Sequence, residues 1–364
     1  MKHYLKVLCV LLVVVFFTGI ASAQSLEERL KSMVSSNAEM YVNPLVTAFG
    51  SGMNSGWFHS ARPHKLLGFD FGVRAMMVTF PDDQKTFEFD ISQLSDYDFS
   101  TEILTYSIGL TAADLYPNHE VPTFFGSDEE VDVRATKDQI VDLIKGQLIS
   151  EGASQTEISA ASSLIDGAAD DALLVVPSLK IAGTGLEFLP LVVPQAAIGL
   201  SIPMLPIKAE LVFRGMPEID LGEDLGTFKF FGGGVKLALD PFIPIPMFPV
   251  NIAVGAYTQK IALGDVLEAN NTLISLMVGK DINLLVFGVG VYGAVGVESS
   301  NIELKYDFIT DDGTVTPIKF DMEGENKFRT TIGGRVKLAV FNINADYSMG
   351  ADNVVTIGAG ISIR

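Results

Sequence analysis

The chain has 364 residues, of which 48% are hydrophobic and 19% are charged, and its formal net charge is −19. This acidity argues against a nucleic-acid partner, because binding to nucleic acid requires clustered Lys and Arg side chains. The 34 glycines and the small share of charged residues are unusual for a secreted soluble protein, and they suit strands with one apolar and one glycine-rich face.

The first 23 residues have the features of a secretory signal peptide. Lys2 and Lys6 precede the apolar run Val7–Phe17, and an A-x-A pattern ends at Ala23. The run is shorter than the roughly 20 residues of a membrane-spanning helix, so cleavage after Ala23 is predicted rather than an uncleaved anchor. The single cysteine, Cys9, lies within this run, and the mature chain is expected to contain no thiol and no disulfide.

Residues 24–65 are predicted to form a helical segment ahead of the first strand. Ser25 and Glu28 match a capping box, and Asn37–Phe49 is a second helix candidate. The glycine-rich stretch Gly50–Gly56 predicts a flexible break after the helices. Such a segment is either a plug inside a barrel or a short periplasmic tail.

Residues 66–364 are predicted to form a β-barrel that begins with the alternating strand Leu66–Phe80. Shorter strand candidates follow at Lys85–Ile91 and Thr101–Leu110. Alternation with period two recurs from Leu189 onward, and Ile302–Phe308 is one of the later strand candidates. The parity flips between Thr331–Val340 and the following strand, as it does across a tight hairpin or, failing that, a bulge. In a soluble sandwich the apolar face would be the inner one, whereas in an outer-membrane barrel it faces lipid. After a secretory signal, the pattern favours an all-β, transmembrane antiparallel β-barrel of about 12–14 strands with an N-terminal helical, plug-like segment.

A long loop or helical insertion interrupts the strand pattern at about residues 111–188. It contains two amphipathic helix candidates, Lys137–Ser150 and Thr156–Leu173. Asp128–Asp132, and the later turn Asp311–Gly313, lack the spacing of an EF-hand, so solvated loops are favoured over calcium sites.

Candidate catalytic residues are sparse. Outside the signal peptide the histidines are His59, His64 and His119, and none has the spacing of a metal site. His59 with Ser60, together with His64, leaves a membrane-barrel serine hydrolase as a minor alternative, although adjacency in sequence is not geometry. No catalytic, cofactor-binding or metal-binding residue is assigned, and the protein is predicted not to be an enzyme.

Charged residues on the polar strand faces are the most informative candidates. A charge that faces lipid at mid-membrane costs roughly 2–4 kcal/mol, so these residues are predicted to face the lumen. The candidates for a transport path are Asp70, Arg74, Lys208, Glu210, Arg214, Arg335 and Lys337, and those for a gate are Gly50, Gly52, Gly56 and Trp57. Trp57, Phe58 and the connection Pro241–Pro249 fit an interface girdle better than a ligand path.

Several stretches of the chain resemble an uncharacterised family of Gram-negative envelope proteins, a domain of unknown function regarded as an outer-membrane barrel. They are Asn37–Leu45, Gly50–Val73, Pro122–Gly126 and Gly232–Thr258, and the most specific part is NSGWFHSARPHK at Asn54–Lys65. A weaker resemblance is to the hydrophobic-compound transporters typified by the long-chain fatty acid channel, which have an N-terminal helical hatch inside a barrel.

Pattern and resemblance together predict a protein of the Gram-negative outer membrane. Its expected function is that of a passive channel or transporter for small hydrophobic or amphipathic solutes. Its expected partners are the outer-membrane lipids and the outer-membrane assembly machinery. The alternative is a sealed structural or surface-interaction barrel without transport activity.

Overall fold

The computed structural model describes residues 35–94, 98–200, 207–220, 226–243, 249–264, 266–284, 286–309 and 315–363. The predicted signal peptide, the first predicted helix and the turn Asp311–Gly313 lie outside these residues. The chain divides into two compact units. The barrel unit includes Asn43–Pro81 and Leu186–Arg364, and the inserted unit consists of Gln24–Val42 and Asp82–Gly185.

In chain order, the described elements begin with helix α1 (Ser35–Met53) and strand β1 (Phe69–Thr79). The inserted unit then contributes β2 (Thr86–Glu88), β3 (Phe99–Ile103), β4 (Tyr106–Leu110), α2 (Ala112–Leu115), β5 (Glu120–Pro122), β6 (Val131–Asp132), α3 (Lys137–Ser150), α4 (Gln155–Ala160), α5 (Ser162–Val175) and β7 (Lys180–Ile181). The barrel unit continues with β8 (Leu189–Gly199), β9 (Ala209–Asp220), β10 (Thr227–Ala238), β11 (Asn251–Leu263), β12 (Leu267–Leu284), β13 (Phe287–Ile309), β14 (Val315–Glu323), β15 (Phe328–Leu338), β16 (Phe341–Met349) and β17 (Asn353–Ile363).

Ten of these strands form a closed antiparallel barrel. Their order is β12-β11-β10-β9-β8-β1-β17-β16-β15-β13, and pairing of β12 with β13 closes the ring. The all-β barrel prediction is confirmed, but the strand number is ten instead of about 12–14. The predicted strands at 85–91 and 101–110 fall in small sheets of the inserted unit, and the one at 302–308 is the continuation of β13, to which β14 pairs.

The alternation along each barrel strand separates an apolar outer face from a polar inner face. In β1, Phe71 is 60% exposed, whereas Asp70 and Arg74 are 1% and 0% exposed. The same holds near the C-terminus, where Ile343 is 61% exposed and Asn344 is 1% exposed. A water-soluble sandwich would place its apolar face inside, so this arrangement is the one expected of a barrel surrounded by lipid.

The predicted hairpin after β15 is present. Leu338 pairs with Phe341, and the two intervening residues, Ala339 and Val340, form the turn. Ala339 has a φ of 54°, as a two-residue hairpin turn requires. The turn therefore explains why the parity of the apolar residues flips at this point.

The second stretch of the inserted unit begins at Asp82, before the insertion predicted at about residues 111–188, because β2–β4 pair within this unit. Helix α3 matches its predicted bounds, and its N-terminal Thr136 and Gln139 form a capping box. The second predicted helix is divided into α4 and α5. Within the described ranges, no helix is long and apolar enough to cross a membrane.

Helix α1 continues through part of the stretch that the glycines predicted to be a flexible break. Gly50 and Gly52 lie in the helix, which ends at Met53. A Cβ atom on Gly50 would lie 2.4 Å from the Cβ atom of Ser300, so glycine here permits close approach of the helix to β13. We call residues Asn43–Gly68 the inner segment, because their side chains and carbonyl groups contact the inward faces of the barrel strands.

Candidate functional site inside the barrel

The carbonyl groups at the C-terminal end of α1 accept hydrogen bonds from side chains of two barrel strands. Arg214 of β9 donates to the carbonyl oxygens of Met53 and Ser55, at 2.8 and 2.6 Å. Gln259 of β11 also donates to the carbonyl of Met53, at 2.6 Å. The last carbonyls of a helix have no partner within the helix and favour a nearby cation, so this end of α1 is held by the wall.

Aromatic contacts hold the next part of the inner segment. The ring of Trp57 stacks on Tyr257 of β11, with 5.0 Å between the ring centroids and 20° between their planes. The carbonyl of Trp57 accepts a hydrogen bond from Gln195 of β8 at 3.2 Å. Trp57 is only 2% exposed, so its ring fills the lumen at this level.

A second arginine binds the inner segment from the opposite part of the wall. Arg329 of β15 forms an ion pair with Glu298 of β13 at 2.7 Å and donates to the carbonyl of Ser51 at 2.6 Å. Its guanidinium also contacts the hydroxyl of Ser55. Both Arg329 and Glu298 are buried, so the ion pair neutralises two charges within the barrel.

His59 lies between two oppositely charged wall residues. Its Nε2 atom is 3.3 Å from the carboxylate of Asp70, and its Nδ1 atom is 3.3 Å from the guanidinium of Arg335. Because a guanidinium can only donate, Nδ1 accepts and the ring is neutral, with its hydrogen on Nε2 directed at Asp70. Arg335 is also paired with Asp281 at 2.7 Å, and Ser60 donates to that carboxylate at 2.8 Å.

The ring of His64 contacts two wall residues, one of which is paired with a third. Its Nδ1 atom lies 2.5 Å from Glu210, which also forms an ion pair with Lys236 at 2.6 Å. Its Nε2 atom lies 3.1 Å from the hydroxyl of Ser362. This is the bonding order of a serine–histidine–carboxylate triad, but Ser362 is 0% exposed and a substrate carbonyl could not reach it in this state. The Ser60 hydroxyl, considered with His59 from the sequence, instead binds Asp281.

The structure brings most of the predicted lumen and gate residues together. Asp70, Arg74, Glu210, Arg214 and Arg335 are buried on the inward faces of the strands, and Gly50, Gly52, Gly56 and Trp57 are buried in the inner segment. Lys208 and Lys337 differ from this pattern. Lys208 precedes the first residue of β9 and is exposed, and Lys337 is half-buried next to the hairpin at the end of β15.

Several wall residues that contact the inner segment were not among the predicted sites. They are Gln195, Gln259, Asp281 and Arg329. Arg329 has the same parity as Arg335 in β15, and Gln195 has the same parity as the buried Val193 in β8. Strand parity could therefore have found these two residues, although it does not reveal what they bind.

The described part of the chain contains no group of three or more His, Cys, Asp or Glu residues that could hold a metal ion. Four buried ion pairs, Asp70–Arg74, Glu210–Lys236, Asp281–Arg335 and Glu298–Arg329, instead join oppositely charged residues of the wall. The site is therefore a polar network that binds a segment of the chain itself.

Comparison with known proteins places the chain in a family. The model described as "Family of unknown function (DUF6588)" matches residues 1–363, and the chain belongs to that family. No curated protein matches it. Among solved structures it is similar to the crystal structure of the beta domain of the Bordetella autotransporter BrkA, with 13% identity, 48% of this chain and 91% of that chain covered, and a TM-score of 0.20. The weaker resemblance to hydrophobic-compound transporters stays a prediction.

Proposed function

We propose that this member of a family of unknown function is a barrel of the Gram-negative outer membrane that passively conducts small hydrophobic or amphipathic solutes, with its inner segment as the gate. The observation that carries the proposal is the occupied lumen. The inner segment is held against the wall by hydrogen bonds and aromatic stacking, and its two wall arginines bind backbone carbonyls. These hydrogen bonds and stacking contacts of the inner segment can be replaced by contacts with water while the hydrogen bonds between the barrel strands remain intact.

The apolar outer face supports placement in a membrane. Large hydrophobic side chains with 40% exposure or more occur on strands around the ring, among them Phe71, Phe231, Ile274, Val291, Ile332, Ile343 and Ile357. Exposure of so much apolar surface to water would be costly, whereas contact with lipid removes that cost. The outer-membrane lipids, and the machinery that inserts barrels among them, are the partners that this surface suits.

One observation favours the alternative, a sealed barrel without transport. Three of the four buried ion pairs join different strands, and the fourth, Asp70–Arg74, joins two inward residues of β1. They hold the inward faces of the wall together. Removal of one partner of such a pair costs roughly 3–5 kcal/mol, so the network resists rearrangement. The two functions differ in whether the inner segment moves.

A disulfide between the inner segment and β12 tests the gate. A Cβ atom built on Gly279 lies 3.4 Å from the Cβ atom of Ala61, close to the separation of about 3.5–4.5 Å found in disulfides. The test protein is the mature chain with Ala61→Cys and Gly279→Cys, which contains no other cysteine if Cys9 is removed with the signal peptide. Conductance in planar bilayers and release of an amphipathic dye from liposomes are measured before and after reduction.

We expect the oxidised double variant to be silent and the reduced protein to conduct. The Gly279→Cys single variant is the matched control, because it has the same crowding against the carbonyl oxygen of Val291, 2.8 Å from the built Cβ atom, but cannot form the cross-link. Equal conductance of the oxidised and reduced forms would show that the inner segment is not the gate. A silent reduced protein, together with a silent Trp57→Ala/Gln259→Leu variant, would favour the sealed barrel.

A further inference from the structure

Two hairpin turns at one mouth of the barrel consist of apolar residues. The turn between β12 and β13 lies between the paired residues Leu284 and Phe287, and its sequence is Leu-Val. The turn between β15 and β16 has the sequence Ala-Val. The N–H group of Ala339 in the second turn donates to the carbonyl of Val286 in the first, at 2.5 Å. The two turns therefore lie side by side at the same end of the barrel.

These turns do not have the composition of turns that face water. Gly, Pro, Asn, Asp and Ser dominate such turns. Here Val286, Leu338 and Phe341 are instead exposed by 64%, 59% and 61%. Their side chains continue the apolar outer face of β13, β15 and β16 up to the mouth. A bilayer that covers this outer face also covers the turns, so the mouth lies at the level of the lipid headgroups.

A pocket with a volume of about 290 Å³ lies between these turns and the last part of the inner segment. Its lining includes three basic residues, Arg62, Lys65 and Lys337, and no acidic residue. Asn283 and Phe287 also line it. Such a lining is unusual in a chain that has 44 acidic and 25 basic residues. The pocket is therefore a local site of positive charge in an acidic protein.

The two cations that the inner segment contributes to the pocket are available for a ligand. Arg62 is half-buried and Lys65 is exposed, and neither belongs to an ion pair among the described residues. Asp281 lies on the inward face of β12, two residues before Asn283. Its carboxylate is already bound by Arg335 at 2.7 Å. An anion in the pocket would therefore meet cations whose charge is not used elsewhere.

We propose that this pocket binds the phosphate group of an anionic phospholipid, with Arg62 and Lys65 as the binding residues and the acyl chains against the apolar turns. A guanidinium presents paired N–H groups that match phosphate oxygens, and a nearby ammonium adds a second charge. Basic pockets at headgroup depth are known to bind anionic lipids in this way. Two-residue turns are typical of the periplasmic side of outer-membrane barrels, so the ligand is a lipid of the periplasmic leaflet.

The inference rests on the proposed function only for the placement in a membrane, and it does not require conduction. It adds a role for the inner segment, because Arg62 and Lys65 belong to that segment while Lys337 and Phe287 belong to the wall. A lipid phosphate between them would hold this end of the inner segment at the mouth of the barrel.

Native mass spectrometry of the full mature chain in detergent tests the site. The probes are phosphatidylglycerol, which is anionic, and phosphatidylcholine, which has the same acyl chains but no net charge. We expect the protein to retain phosphatidylglycerol at concentrations at which it does not retain phosphatidylcholine. Arg62→Gln and Lys65→Gln should each weaken the binding of phosphatidylglycerol about fivefold, equivalent to roughly 1 kcal/mol.

Lys208→Gln is the matched control. Lys208 is an exposed lysine just before β9, close in sequence to the Gly199–Glu210 pair at the same mouth, and it does not line the pocket. Its substitution removes one positive charge and should leave the binding of phosphatidylglycerol unchanged. Heat-modifiable migration on a gel verifies that each variant is folded.

Three outcomes would overturn the proposal. Equal retention of the two lipids would show that the site does not select an anion, and an equal loss in Lys208→Gln would show that the general charge of the mouth is sufficient. Displacement of phosphatidylglycerol by an equal concentration of glycerol phosphate would show a site for a soluble phosphate instead of a lipid. Because retention reports binding and not flux, a protein that retains phosphatidylglycerol here and never conducts would contradict the channel while supporting this site.

Discussion

The guanidinium of Arg214 lies 4.0 Å from the centroid of the Trp57 ring, so one residue of the wall binds both the backbone and an aromatic side chain of the inner segment. The same ring also stacks on Tyr257. Trp57 therefore contacts a cation and an aromatic ring that belong to two different strands. Cation–π and stacking contacts of this kind are each worth about 0.5–2 kcal/mol when water is excluded.

Substitution of Trp57 should release the inner segment without opening the ladder. Trp57→Ala removes the stacking and cation–π contacts and leaves a cavity. We expect it to lower the free energy of unfolding by roughly 3–5 kcal/mol. In hydrogen exchange of the protein in detergent, amides of residues 50–60 should exchange faster, whereas those of β10 and β11 should not. Trp57→Phe keeps a ring on Tyr257 and should have a smaller effect. Unchanged hydrogen exchange in Trp57→Ala would show that the hydrogen bonds to the backbone of the inner segment are enough to hold it in place.

The ion pair between Glu210 and Lys236 should behave as one unit. Glu210→Gln leaves the Lys236 ammonium buried without its carboxylate, and it should lower the free energy of unfolding by roughly 3–5 kcal/mol. Glu210→Gln combined with Lys236→Met removes both charges and should recover most of the loss. Urea unfolding in lipid vesicles measures both, with Lys319→Met on the exposed part of β14 as a control for loss of a lysine. Additive effects of the two changes would contradict the coupling.

Cysteine labelling should separate the two faces of β16. Ile343→Cys faces outward and should react with an apolar maleimide added to liposomes, whereas Asn344→Cys should react only if the inner segment leaves the lumen. A small water-soluble maleimide should therefore label Asn344→Cys faster in the Trp57→Ala background than alone. Rapid labelling of Asn344→Cys in the otherwise unchanged protein would show that the lumen is open without a gate.

Two glycines of the wall should tolerate alanine differently. A Cβ atom on Gly72 would lie 2.2 Å from the carbonyl oxygen of Ala359 in the neighbouring strand, so Gly72→Ala must displace β1 or β17. We expect the free energy of unfolding to fall by about 1–3 kcal/mol. On a gel, the change from the migration of the folded barrel to that of the unfolded chain should then occur at a lower temperature. Gly233→Ala, in which the nearest atom would be 3.7 Å away, is the control and should be close to neutral. Equal transition temperatures for Gly72→Ala and Gly233→Ala would show that β1 and β17 can move apart at this position at little cost.

The period-two pattern predicted the barrel and the facing of its strands because each strand has one lipid face and one lumen face. The alternation of Phe71 with Asp70 and Arg74 is a local property, and sequence alone states it. The number of barrel strands, in contrast, depends on which segments pair with each other, and this is not a local property of the sequence. Residues 85–91 and 101–110 alternate as well, but they contribute to small sheets of the inserted unit, in which β2 pairs with β5 and β3 pairs with β4. The 23 residues of β13 also include the stretch that the sequence predicts as a separate strand at 302–308.

The partners inside the lumen could not be predicted for a similar reason. Arg214 and Arg329 look equivalent in sequence to Arg74, since all three face inward, yet the first two bind carbonyls of the inner segment. Which cation meets which carbonyl depends on the depth at which α1 lies, and strand parity contains no information on depth. Gly50 illustrates the opposite error, because a residue typical of a flexible break is required here for close packing against Ser300.

The place of β1 in the ring has a consequence for the order of assembly. Strands β8–β17 can each pair with a neighbour close in sequence, whereas β1 pairs with β8 and β17, both of which are distant from it along the chain. Loops of such length are entropically costly to close, so β1 is the strand expected to dock last. It is joined directly to the inner segment at Gly68. Docking of β1 therefore completes the ring and encloses the inner segment in the same step. The lumen of this barrel accordingly contains the inner segment as soon as the ring is closed.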